Sequence, residues 1–187
     1  IGTDRKGRIL IISYGQGSTY FHQISSSPIQ KTVISDNTGY ALCEDHSIYT
    51  YQAASALFKK ENYEVTPTKL EITGSNLYTV GNYILIYNDE TDTLYYKSKS
   101  DQPFNSIKCP FKFDSLVPSF NSKSIYFISQ MQISKFTFSN RNFTDISRST
   151  LPQYSAVLVT KDILYFATTK GIHLYQLLHR HENCFFT

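Results

Sequence analysis

Short apolar segments recur along the chain with polar punctuation between them: "KTVIS" at 31–35, "GYAL" at 39–42, "SIYTYQ" at 47–52, "KLEIT" at 69–73 and "YILIYN" at 83–88. Later come "SLVPS" at 115–119, "IYFI" at 125–128, "SAVLV" at 155–159, "LYFA" at 164–167 and "IHLYQL" at 172–177. Runs of four to seven residues rich in Ile, Val, Tyr and Phe, bounded by Gly, Asn, Asp, Ser and Lys, predict antiparallel strands joined by tight turns. Helical periodicity is confined to one candidate, "AASALFKKEN" at 53–62, which reads equally well as a strand with a loop.

The segments repeat as a group. "GYAL", "LYTV" at 77–80, "IYFI" and "LYFA" each place a tyrosine after a small or apolar residue and two positions before an apolar one, and Tyr40, Tyr78, Tyr126 and Tyr165 lie 38, 48 and 39 residues apart. An apolar alternating segment precedes each anchor and a second aromatic strand follows it after a polar turn. The N-terminal "RILIISYGQGSTYFHQI" at 8–24 supplies a partial fifth copy, with "GQGS" as its turn. Periods near 40 residues with three or four strands per unit are what a β-propeller blade requires. The expected fold is all-β: a propeller of four-stranded antiparallel blades over 1–178, with four to five blades and a C-terminal tail at 179–187. The set closes as a small ring or forms part of a larger one.

"KSKSDQPFNSIKCPFKFD" at 97–114 interrupts the rhythm and reads as an excursion between blades. Its Phe104, Phe111 and Phe113 are candidate partner contacts; the competing expectation is that they pack the loop onto its own blade.

"VISDNTGYALCEDHSIYTYQ" at 33–52 resembles the repeat of RCC1-like proteins, in which an apolar strand, a small residue, an "AL" strand, an acidic turn and an aromatic strand follow in order. "YSAVLVTKDILYFATTKGIHLYQL" at 154–177 resembles it also. The resemblance implies a propeller and a seven-bladed parent. Gln52, Asn88 and Gln176 stand where that family has a glycine after the aromatic strand, and no motif for nucleotide-exchange activity on a GTPase can be placed. The Gly-His and Trp-Asp marks of WD40 repeats are missing too.

Composition agrees with a globular, strand-rich chain: 187 residues, 41% apolar and 18% charged, with 15 Tyr and 13 Phe against one Met. The net charge of +3 is scattered rather than gathered into a stripe, so nucleic acid is not expected. No apolar run approaches the roughly 20 residues of a membrane-spanning helix, so no membrane partner is expected. The only methionine is Met131, which suggests a region of a longer polypeptide. Cys43, Cys109 and Cys184 lack CxxC spacing, which argues against a disulfide framework and a zinc knuckle and favours a reducing compartment, cytoplasmic or nuclear.

Motifs that could carry chemistry each have a simpler reading. "YGQGSTY" at 14–20 has the glycines of a phosphate loop, but a β-rich segment follows where a helix N-terminus is needed. "NDETDT" at 88–93 gathers acidic groups without the spacing of an EF-hand. "HRHENC" at 179–184 holds His179, His181 and Cys184, but no second ligand pair accompanies them. Asp45 beside His46 falls in a turn. A sequon, Asn142-Phe143-Thr144, has meaning only in a secreted protein.

No catalytic residue, metal or cofactor is therefore expected. The sequence favours a non-catalytic propeller module that binds a protein partner, belongs to a larger protein or assembly, and is open to self-association through a free blade edge. The rival is an enzyme or small-ligand binder with its site at the central channel.

Overall fold

The computed structural model describes residues 2–12, 19–53, 65–98, 103–148, 150–161 and 163–177. Among the described residues there are eighteen strands and no helix. The chain divides into two compact units, 1–109 and 110–187.

The first unit holds three sheets. β1 (Gly2–Thr3), β2 (Arg8–Ile12) and β3 (Thr19–Gln23) form one. β4 (Ile29–Ser35), β5 (Thr38–Cys43), β6 (Ser47–Gln52) and β7 (Thr68–Thr73) form the second, and β8 (Asn76–Val80), β9 (Tyr83–Asn88), β10 (Thr93–Ser98) and β11 (Asn105–Lys108) the third. The second unit holds β12 (Ser115–Pro118), β13 (Ser124–Ile128), β14 (Ile133–Thr137) and β15 (Asn142–Ser147), followed by β16 (Ala156–Val159), β17 (Ile163–Thr168) and β18 (Gly171–Gln176). Every sheet is an antiparallel meander with strands in chain order. Within each unit, neighbouring sheets touch through their first strands: β1 meets β4, β4 meets β8, and β12 meets β16. These are the blades of a β-propeller, the fold the repeat predicts.

Turn chemistry explains why the strands reverse where they do. Asp36 opens the two-residue β4–β5 loop while His46, Asp92 and Arg141 close theirs, each with a left-handed backbone (φ 48–63°) that tight hairpin reversals use. Asp45 shapes one of these turns. Its carboxylate accepts hydrogen bonds from the Ser47 amide at 3.2 Å and the Ser47 hydroxyl at 2.6 Å.

Alternation along the central strands feeds two cores at once. On β5, Ala41 and Cys43 face Ile9, Ile24, Ile29 and Tyr51, while Tyr40 and Leu42 face Ile48, Leu77, Ile84 and Ile86. Gly39 sits opposite Tyr51 in the β5–β6 ladder, and a Cβ there would fall 2.2 Å from the tyrosine ring. In the second unit, β13 directs Tyr126 and Ile128 toward Val117, Ile133, Leu164 and Phe166. Its Phe127, on the opposite face, meets Phe113 at 4.7 Å and Phe143 at 5.2 Å between ring centroids.

Three expectations change. Tyr78 lies on the first strand of its sheet, whereas Tyr40, Tyr126 and Tyr165 lie on second strands, so it is out of phase with them. Counted from second strands, the blades begin at Thr38, Tyr83, Ser124 and Ile163, at intervals of 45, 41 and 39 residues. "KLEIT" is correspondingly the outer strand of the second sheet rather than the leading strand of the third, being hydrogen-bonded to β6. The excursion at 97–114 contains the end of β10 and all of β11, whose Asn105–Lys108 pairs with Thr93–Tyr96. The helical candidate at 53–62 lies, apart from Ala53, outside the described residues, as do the "GQGS" turn and the tail at 179–187.

Candidate interaction surfaces

Phe104 belongs to the first unit and Phe111 and Phe113 to the second. Phe104 is half-buried and packs against the core that holds Tyr40 and Leu77. Its ring meets Tyr40 edge-on at 6.4 Å, and the Lys97 ammonium sits 5.3 Å from Phe104 and 5.8 Å from Tyr40. Phe113 lies edge-on against the fully buried Phe127, and Phe111 is half-buried. Two of the three thus anchor their segment to their own unit while keeping part of the ring in solvent.

A larger apolar surface lies on the last sheet, where sequence patterning gave no warning. Register places Leu158, Tyr165 and Leu174 in one row across β16, β17 and β18, and Ala156, Ala167 and Ile172 in the next. Directly opposed residues share a face, so all six lie on one side. Leu158 is 62% exposed, Ile172 72% and Leu174 66%. On the other side, Val157, Leu164, Phe166 and Tyr175 pack against Val117, Tyr126 and Ile128 of the preceding sheet. The strands "AVLV" and "ILYFAT" are apolar at both parities, which is the signature of a sheet covered on two faces; only one face has a partner among the described residues.

Smaller exposed apolar groups stand apart from this face. The half-exposed Phe21 on β3 is covered by the Arg8 guanidinium, 4.5 Å from the ring centre, and Arg8 is itself held by Asp4 through an Nε bond of 2.8 Å. Phe120 and Met131 lie in turns.

The polar clusters are engaged in turn structure. Asn88 donates to Thr73 Oγ1 at 2.9 Å and accepts from the Glu90 and Thr91 amides at 3.0 Å each, while Asp92 accepts from the Tyr87 hydroxyl at 3.1 Å. The Asn88 and Asp92 side-chain oxygens are thereby committed to turn structure. His46 Nδ1 lies 3.3 Å from the Gly74 carbonyl oxygen, and the Ser47 hydroxyl points to Asp45, so the three residues do not form a relay. Asp145 accepts from the Ser134 hydroxyl at 2.7 Å and from Gln132 at 2.9 Å and is paired with Arg148; the Ser134 bond and then Arg148 hold its carboxyl below the usual range. Among the described residues, no group of three or more His, Cys, Asp or Glu side chains is placed to hold a metal ion. Cys43 and Cys109 are free, buried thiols; burial raises both, Cys109 to about 12, far from a reactive thiolate.

No protein-family model matches the sequence, and no curated protein matches it. Solved structures do. The chain superposes on BamB from Moraxella catarrhalis with a TM-score of 0.63 at 9% identity, covering 94% of this chain and 56% of that one. Hsv2 from Kluyveromyces lactis gives 0.60 at 10% identity, with 94% and 60% covered. The computationally designed Ika8 protein gives 0.58 at 10% identity, with 94% and 54% covered. At such identities the likeness is one of fold, and the fold is a β-propeller; the chain spans between 54% and 60% of the length of these structures.

Proposed function

We propose that this chain is a non-catalytic protein-interaction module built on propeller blades, acting within a larger protein or assembly. The observation that carries the proposal is the open face of the last sheet. Three aliphatic side chains there, Leu158, Ile172 and Leu174, are each about two-thirds exposed and lie in adjoining rows. Contiguous exposed apolar surface on a rigid sheet is costly in water and is characteristic of a contact surface. The ladder beneath supplies the rigidity, so binding orders little new structure. Free buried thiols at Cys43 and Cys109 suit a reducing compartment, cytoplasmic or nuclear.

The test is chemical accessibility in place. A Leu174→Cys variant that also carries Cys184→Ser is labelled with a maleimide in intact cells and again after purification. A contact surface gives slow labelling in cells and fast labelling of the isolated chain, with the buried Cys43 and Cys109 as slow internal references. Equal fast rates in both settings would show that nothing covers the face and would remove the basis of the proposal.

A further inference from the structure

We propose that the outer edge of the first sheet takes an extended, acidic segment of another protein as a fourth strand, a contact independent of the last sheet. Three sheets end in a fourth strand, β7, β11 or β15, whereas the first stops at its third, β3. The residues that follow β3 cannot supply the missing strand. Ile24 and Ser25 donate to the Gly7 carbonyl oxygen at 3.0 and 3.1 Å, and β4 already begins at Ile29. Among the described residues nothing pairs with the outer edge of β3. Its backbone groups face outward in a fixed pattern. The Arg8 carbonyl oxygen accepts from the Asp4 amide at 3.1 Å, on the β1 side, and the Gly7 carbonyl oxygen accepts from Ile24, on the β3 side. Alternation along the ladder then turns the amides and carbonyls of Thr19, Phe21 and Gln23 away from β2.

The outer strands that the chain supplies itself are guarded against further pairing. β7 carries exposed Lys69 and Glu71 on an irregular register, β11 carries Lys108, and β15 carries Asp145 on an irregular register. β3, "TYFHQ", has no Lys, Arg, Asp, Glu or Pro, and its register is unbroken. Exposed edges are ordinarily blunted by charge, proline or bulges, so an edge without them is suited to strand addition, where main-chain bonds hold the added segment and alternate side chains select it. Selection here has two parts. Phe21 is 51% exposed and shares its row with Thr19 and Gln23, so an added strand sets an apolar side chain beside it. At the end of the row, Gln23 Nε2 donates to the Lys6 carbonyl oxygen at 2.7 Å, which holds the turn of Arg5 and Lys6 at that end. Both cations are exposed, and the one carboxylate of the turn, Asp4, is taken by Arg8 at 2.6 Å. Carboxylates on the added strand at this end answer Arg5 and Lys6. A second copy would offer only its own uncharged "TYFHQ", and the segments of this chain at 54–64 and 178–187 have no net negative charge. Charge therefore favours a strand from another protein.

Amide hydrogen exchange of the 187-residue chain, alone and with a synthetic peptide, tests the inference. In the dilute chain the Thr19, Phe21 and Gln23 amides should exchange near the unprotected rate. Protection there, whether constant or growing with protein concentration, would mean that the chain or a second copy fills the edge, and would overturn the inference. The probe is a blocked peptide, Glu-Glu-Thr-Val-Thr-Val-Thr, whose glutamates reach the Gln23 end when it pairs antiparallel. At millimolar concentration it should slow exchange of these three amides. A counterpart with Lys-Lys in place of Glu-Glu should bind at least tenfold more weakly, and one N-methylated at alternate amides should not bind. Arg5→Glu with Lys6→Glu, both at exposed positions, should reverse the preference between the two charged peptides. No protection by the acidic peptide, equal binding of the acidic and basic peptides, or binding that survives N-methylation would each overturn the inference. Labelling of Leu174→Cys reads the last sheet alone, so failure at either surface leaves the other standing.

Discussion

Asn88 is the buried polar residue whose bonds join two sheets of the first unit. It ends β9, is 7% exposed, and reaches back with its amide to Thr73 on β7 while its carbonyl oxygen holds the turn that leads into β10. Asn88→Ala removes two donor bonds, to the Thr73 hydroxyl and carbonyl oxygens, and two acceptor bonds. Net values of about 0.5–1.5 kcal/mol per bond set the scale, and water can partly replace those that open to solvent, so the expected loss is about 1.5–3 kcal/mol. Asn88→Asp separates the contributions. It keeps an acceptor for the Glu90 and Thr91 amides, but it sets a carboxylate oxygen where the Asn88 amide nitrogen now lies, 3.4 Å from the Thr73 carbonyl oxygen. At neutral pH it should therefore cost at least as much as the alanine variant, because the buried carboxylate faces an acceptor. Urea unfolding followed by circular dichroism reads the loss: with a slope of about 2 kcal/mol/M, the alanine variant shifts the midpoint by about 1 M. Hydrogen exchange at the Ser75 amide, which donates to the Tyr87 carbonyl at 2.7 Å, localises it. A Thr73→Val partner in a double-mutant cycle should couple to Asn88→Ala by about 0.5–1 kcal/mol. If Asn88→Ala costs under about 0.5 kcal/mol, or the cycle shows no coupling, then the Asn88–Thr73 bond does not tie the sheets and the account of this turn is wrong.

Gly39→Ala should destabilise the first unit by about 1–3 kcal/mol, because the new methyl must displace the Tyr51 ring; a combined Gly39→Ala, Tyr51→Leu variant that recovers none of the loss would refute this cause. Burial raises the Tyr51 phenol to about 12, so the native state holds its proton more tightly than the unfolded chain. Stability linked to Tyr51 is accordingly complete below the ordinary phenol value near 10 and falls as pH climbs from about 10 to 12; Tyr51→Phe should flatten that decline in alkaline melting curves. Asp145 has its carboxyl lowered by Ser134 and Arg148, so its contribution is present above the ordinary value of 3.8 and is lost as pH falls through the folded value. Asp145→Asn should remove that acid-side loss, and identical acid melting curves for the two proteins would contradict it.

The strands and turns were legible because they are local. Alternation of Ile, Tyr and Val with polar residues marks a strand wherever it occurs, and Asp36, Asp45 and Asp92 mark the reversals through their own backbone and side-chain bonds. Phase was not legible at one blade. "KLEIT" and "NLYTV" are separated only by Gly74 and Ser75, a gap as short as a hairpin, yet β7 pairs with β6 and β8 begins a new sheet. What distinguishes them is pairing geometry, which a spacing of tyrosines does not encode. The polar interval at 97–114 hid β11 for a related reason. An outer strand such as "NSIK" needs only one apolar residue, Ile107, facing inward, and so carries little periodic signal.

The open face of the last sheet was illegible for the opposite reason, an excess of signal. Two of its strands, β16 and β17, are apolar at both parities, which in a propeller is the ordinary state of a blade flanked by two others. Sequence alone therefore assigns Leu158, Ile172 and Leu174 to a core. Only the structure shows that Leu164 and Phe166 are covered while the residues one position away are not. The contrast within β17, where Leu164 and Phe166 are fully buried and Tyr165 and Ala167 stay half-exposed, locates the discrepancy at single-residue resolution. The proposed interaction role rests on this contrast: a face patterned for burial that has no neighbour among the described residues. Its rows carry no formal charge, so under that proposal apolar fit rather than ion pairing decides the contact, and a lysine at position 174 is the smallest change that tests it.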